Sequence, residues 1–154
     1  MKKVFLFLAA VLVVVTVSAQ VDLSGSWKLN SSKSKLGEQF SMAPKEIIIA
    51  QKGNDLSVER HAEWQGEAYT TNDKFTLDGK ECVNPGMMDT QKKSTAVWAA
   101  DKKSLKITSK IPMQDGGEVS ITEVYKIDGG NMVIEMNSTS SWGDMTETQV
   151  YDKK

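Results

Sequence analysis

An all-β fold, an antiparallel up-and-down β-barrel of about eight to ten strands, is what this sequence predicts. Three observations carry that reading. Apolar and polar residues alternate over one segment after another, as in Leu105, Ile107, Ser109, Ile111 and again in Val119, Ile121, Glu123, Tyr125, Ile127. Successive side chains on a strand point to opposite faces, so such runs make half-buried strands. Turn clusters recur between the runs: Lys52-Gly53-Asn54-Asp55, Asp78-Gly79, Asp115-Gly116-Gly117 and Asp128-Gly129-Gly130. They are the composition of tight hairpins. Finally, no long helical period interrupts the series, and only 31–44 and 84–90 are long enough for sandwich crossovers. Consecutive hairpins therefore build a meander, and closing it removes exposed sheet edges.

The 154-residue chain opens with Lys2 and Lys3, then an apolar run from Val4 to Val17 and the small-residue site Val17-Ser18-Ala19. That order predicts an export signal at 1–19, cleaved after Ala19, with 20–154 as one domain. The apolar run falls short of the roughly 20 residues a spanning helix needs, so no stable membrane span is expected after cleavage. The mature chain is expected in the periplasm or outside the cell. No Cys follows the cleavage point, which argues against a lipid anchor. Loss of Lys2 and Lys3 leaves a formal charge of −3. Mild acidity without a basic stripe argues against nucleic acid, whose binding rests on phosphate neutralisation.

Asp22 to Asn30 reads as the first strand, with Leu23, Gly25, Trp27 and Leu29 on one face. Gly25, two residues before the indole, leaves room for it beside close-packed backbone. The polar stretch 31–40 is expected to form one short helical turn, capped by Ser31 or Ser32, closing one end. Ile47-Ile48-Ile49 marks the next strand through its β-branched run. Its partner, 56–61, sets Leu56, Val58 and Arg60 against Ser57, Glu59 and His61. Residues 67–77 place Tyr69, Phe75 and Leu77 on one face, and 80–83 starts the return. Pro85 and Gly86 predict a loop over 84–89, with Met87 and Met88 either folded onto the core or forming an adaptable apolar lip on a ligand mouth. Strands at 94–99, 104–111, 118–127, 131–139 and 145–151 complete the chain.

Gly25-Ser26-Trp27 resembles the Gly-x-Trp signature that begins the first strand of lipocalins and their calycin relatives. Asn30-Ser31-Ser32-Lys33-Ser34-Lys35-Leu36-Gly37 and Leu77-Asp78-Gly79-Lys80 resemble small lipocalin-like proteins exported by Bacteroidetes-type bacteria. A Thr-Asp-Tyr motif and a last-strand Arg over the Trp are missing, which points to a distant calycin. The resemblance implies a lipocalin-like barrel, and a barrel of this strand number is wide enough to hold one small ligand.

Candidate site residues follow from strand parity. Arg60 is the single arginine and lies on the apolar side of its strand. A guanidinium facing a barrel interior needs a carboxylate, with Glu67, Glu123 and Glu147 on plausible inward faces. Two readings stand: an internal Arg–Glu pair that fixes register, or a counter-ion for an acidic head group. Trp64, Tyr69, Trp98 and Met136 are the expected apolar lining beside Arg60 and Glu123. Trp142, in a polar loop, is expected to be exposed.

Cys82 has only His61 as a possible base and no readable orienting partner, so it reads as structural. One histidine supplies no metal site, and no cofactor is expected. No phosphate loop, zinc spacing or nucleophile elbow appears, which places binding ahead of catalysis. The leading expectation is an exported binder of a small apolar or amphipathic molecule. The alternative is a filled barrel acting as a protein-interaction module or inhibitor through the Met87–Met88 and Trp142 loops.

Overall fold

The computed structural model describes residues 19–154, so the expected signal segment lies, except for Ala19, outside the described residues. Ten strands follow in order: β1 (Gly25–Leu29), β2 (Glu46–Lys52), β3 (Asp55–Trp64), β4 (Glu67–Thr76), β5 (Cys82–Pro85), β6 (Gln91–Trp98), β7 (Ser104–Pro112), β8 (Glu118–Asp128), β9 (Asn131–Ser140) and β10 (Gly143–Lys153). They form one antiparallel sheet in the order β4-β3-β2-β1-β10-β9-β8-β7-β6-β5. Each strand pairs with its neighbour in sequence, and β1 pairs with β10, setting Trp27 opposite Lys153. The result is an up-and-down barrel, closed except between β4 and β5.

Side chains take over where the backbone ladder stops. The Lys74 N–H donates to Asn84 Oδ1 at 2.8 Å, and Asn84 Nδ2 donates to the Lys74 carbonyl at 3.0 Å. The Asn84 carboxamide thus imitates one residue of a paired strand. Thr76 N–H also donates to Cys82 Sγ at 3.2 Å, which gives the lone cysteine a structural place on this seam. This corrects the expected loop over 84–89, because Asn84 and Pro85 belong to β5 and the loop starts at Gly86. Pro85 fits because a strand flanking the open seam tolerates a missing N–H.

One end of the barrel is plugged. Leu23 and Trp27 are buried there, and the Trp27 indole N–H donates to the Leu23 carbonyl at 3.0 Å. Val21 N–H reaches the Lys102 carbonyl at 3.1 Å, tying the segment before β1 to the β6–β7 turn. Lys153 Nζ lies 5.3 Å over the indole ring. Gly25 adopts φ 135°, and a Cβ there would stand 3.1 Å from Lys153 Cε. Both the backbone and the packing therefore call for glycine beside this Trp. Above the plug, Ile49, Leu56, Val58, Phe75, Leu105, Ile107, Met132 and Ile134 form a continuous apolar core.

The segment 30–45 departs from the expected helical turn. Residues 31–33 make a hydrogen-bonded turn in which the Lys33 N–H meets Asn30 Oδ1 at 3.2 Å, so Asn30 takes the capping role expected of Ser31 or Ser32. Lys35 then pairs both ways with Thr148 of β10, at 2.7 and 2.9 Å. Backbone groups committed to β10 are not free to close helical turns.

Candidate binding site

Loops after β1, β3, β5, β7 and β9 gather at the end opposite Trp27, called here the upper end. Register decides what faces inward beneath them. Ile49, Val58 and Asp73 form one cross-strand row, and Ile47, Arg60 and Thr71 the next. On the other wall, Glu147, Met136, Glu123, Ile107 and Ala96 share a row. Arg60 is thereby aimed across the barrel at Glu123.

The guanidinium meets three side chains of its own chain. Arg60 Nη1 donates to Asp73 Oδ2 at 2.5 Å. Its Nη2 donates to the Tyr125 hydroxyl at 2.7 Å and to Glu123 Oε2 at 3.2 Å. Tyr125 in turn donates to Glu123 Oε1 at 3.0 Å. Lys92, on β6, reaches across the β4–β5 seam to Asp73 Oδ2 at 2.7 Å. Asp73 is 1% exposed, whereas Arg60, Lys92 and Glu123 keep 13%, 15% and 16% of their side-chain surface accessible. The network sits inside the barrel below the upper rim, and part of its surface is reached by solvent.

Burial opposes the charge on Arg60, but Glu123, Tyr125 and Asp73 outweigh it and hold the guanidinium pKa above its ordinary value. For Tyr125, burial is the largest cause and raises the phenol pKa, with Glu123 adding to the effect and Arg60 opposing it. Tyr125 therefore stays a neutral donor. Tyr151 is raised in the same way, first by burial. Its single hydroxyl proton faces Gln149 Oε1 at 3.0 Å and the Pro44 carbonyl at 3.2 Å, which sets 30–45 against β10.

Of the residues expected at the site, Arg60 and Glu123 come together, and buried Met136 lies between Glu123 and Glu147 in its row. Trp64 and Tyr69 have the inward parity but sit at strand ends, half-exposed on the upper rim. Phe40 packs edge-on against Trp64, with ring centroids 5.0 Å apart. Trp98 is not part of this group. It lies at the lower end beside Leu77, Val97 and Lys102, where it lines an open depression of about 430 Å³. A second depression of about 520 Å³, beside Leu56, Phe75 and Cys82, is also at the lower end. Glu67 is exposed at the start of β4, while Glu147 is buried. The outward assignment of His61 agrees with its contact to Glu59 on the outer face.

Asp73 and Lys92 were missing from the sequence reading. Asp73 shares the parity of Tyr69 and Phe75, so that alternation already carried the signal. Lys92 was hidden because the strand was expected to start at Ser94, whereas β6 starts at Gln91. For the Met87–Met88 pair the structure corrects the core-packed reading and fits the apolar lip. It is exposed, Met88 at 67%, and does not fold onto the core. With Phe40, Trp64, Tyr69 and Trp142 (69% exposed), these methionines ring the upper rim. Among the described residues no group of three metal-binding side chains occurs. No helix there is long and apolar enough to cross a membrane.

No family model matches the chain, and no curated protein matches it in sequence. Solved structures do match in shape. The zebrafish ileal bile acid-binding protein, crystallised with cholic acid, aligns with a TM-score of 0.59 at 17% identity, over 85% of this chain and 98% of its own. Apo lipid binding protein 8 of Caenorhabditis elegans gives 0.60 at 12% identity, over 88% and 100%. The fatty-acid-binding protein of Manduca sexta gives 0.50 at 18% identity, over 84% and 98%. At these identities the likeness shows the fold alone, an antiparallel up-and-down β-barrel.

Proposed function

We propose that this protein is an exported carrier that holds one small apolar or amphipathic molecule in the upper half of its barrel. The observation that carries the reading is the asymmetry of the two ends. Leu23 and Trp27 plug the lower end, while the upper end presents a partly accessible polar floor beneath a rim of exposed aromatic and Met side chains. Such a rim suits an apolar body, and convergent polar groups at depth suit a head group. Structures of the same fold named for bile acid, lipid and fatty acid binding support the reading. Export rests on the Lys2-Lys3, apolar and Val17-Ser18-Ala19 pattern.

Native mass spectrometry of protein purified from its host without detergent tests both parts. A co-purified lipid-sized adduct on a chain beginning at Gln20 is expected. An adduct-free protein that also fails to bind N-phenyl-1-naphthylamine would remove the carrier reading. A chain that retains Met1 would remove export.

The alternative, a filled barrel that engages a protein through its loops, draws on the exposure of Met87, Met88 and Trp142. Exposed apolar clusters of this kind also mark protein interfaces. It predicts that Met88→Ser with Trp142→Ser abolishes partner capture while N-phenyl-1-naphthylamine never binds.

A further inference from the structure

The interior network is complete in charge before any ligand arrives. Arg60 and Lys92 are the cations of the upper interior, and both are already engaged by Asp73 and Glu123. Glu147 adds a third acidic side chain, 1% exposed, whose Oε1 accepts the Gly37 N–H at 3.0 Å and whose Oε2 accepts Gln149 Nε2 at 2.8 Å. No lysine or arginine pairs with Glu147 among the described residues. Two cationic and three acidic side chains leave a formal excess of one negative charge where a head group would rest.

We infer that the barrel takes an amphiphile with an uncharged, hydrogen-bonding head, such as a hydroxyl or amide, and discriminates against carboxylates. This rests on the carrier reading and specifies its ligand. An entering carboxylate would have to displace Glu123 from Arg60, leaving it the Tyr125 hydroxyl but no cation, or displace Asp73 and leave it Lys92 alone, or lie beside them without a cation of its own. A hydroxyl meets neither obstacle. It can accept an N–H of Lys92 or Arg60 and donate to Glu123 without changing the charge of the network. The solitary inward arginine, which suggests an acidic ligand when read alone, is already spoken for by residues of its own chain.

The test is displacement of the neutral probe N-phenyl-1-naphthylamine from the full mature chain by dodecanol and by dodecanoate at pH 7 and low salt. Dodecanol should compete at a concentration about 10-fold or more below dodecanoate, the scale of one uncompensated like charge in a partly buried site. Glu123→Gln, which leaves Arg60 its bond to Asp73, should tighten dodecanoate about 10-fold relative to dodecanol. Dodecanoate binding as well as or better than dodecanol would overturn the inference and leave the carrier reading standing. Failure of the probe and of both amphiphiles to bind would overturn the carrier reading and the inference with it. Should Glu123→Gln fail to fold, the wild-type comparison of the two amphiphiles decides by itself.

Discussion

Arg60 shows how one side chain ties fold and site together. Its bonds span β3, β4 and β8, so its loss leaves Glu123 without a cation and Asp73 with Lys92 alone. Arg60→Met should cost about 3–5 kcal/mol in urea unfolding, the range for stripping one partner from a buried ion pair. Adding Glu123→Gln should recover a large part of that loss, because the stranded charge is removed. A single variant as stable as wild type would mean that solvent, not Arg60, neutralises Glu123. Tyr125 and Tyr151 give a pH prediction. Burial raises both phenol pKa values above the ordinary value of 10.0, so the folded state favours the neutral form. Their contribution to stability is complete below pH 10 and is lost as the pH rises above it. Phenolate absorbance from these two residues should appear only together with unfolding. Hyperchromicity from two tyrosines in a still-folded protein at alkaline pH would contradict their burial.

At the scale of elements, the β4–β5 seam is the distinctive feature. Nine of the ten strand-to-strand junctions around the barrel are backbone ladders, and the tenth is made by side chains. Asn84→Ala removes both bonds to Lys74 and should cost about 1–3 kcal/mol, the net worth of two hydrogen bonds. The loss should be local: amide exchange at Lys74 should accelerate in Asn84→Ala while that of Ile134 stays slow. Uniform acceleration at both amides would show that the seam is not a separate opening unit. The same argument explains why 30–45 holds its place without a helix. Lys35 borrows a pairing from β10, and Pro44 receives the Tyr151 hydroxyl.

Across the whole molecule, closure depends on pairing β1 with β10, the two ends of the described chain. Such non-local contacts make folding slow and cooperative, because loop-closure entropy is paid before they form. Deleting 150–154 removes Tyr151 and Lys153 from the β1 ladder and from the Trp27 plug, so the truncated chain should show no cooperative urea transition. A sharp transition near the wild-type midpoint would show that the barrel closes without them. Ligand binding acts on the same scale. A neutral amphiphile at 100 times its Kd should raise stability by about 2.7 kcal/mol through mass action, measurable as a shift of the urea midpoint.

Local chemistry in the sequence was enough for the order of the strands, the tight Gly turns and the faces, but not for the ends of β5 and β6 or for the segment 30–45. Alternation alone placed Arg60 inward and His61 outward, and the Gly-x-Trp triplet marked the first strand. These are properties of neighbouring residues, and period-2 geometry converts them directly into inside and outside. What only the tertiary structure decided was which inward residues meet. Asp73 and Lys92 lie 19 positions apart and join across a seam with no backbone ladder, so no local pattern pairs them. Trp64, Tyr69 and Trp98 have the expected residue type, yet height along the barrel puts the first two on the rim and Trp98 at the lower end. The charge balance around Arg60 is likewise a sum over β3, β4, β6, β8 and β10. Parity fixes the direction of a side chain; only barrel closure brings the strands that carry these charges within reach of one another.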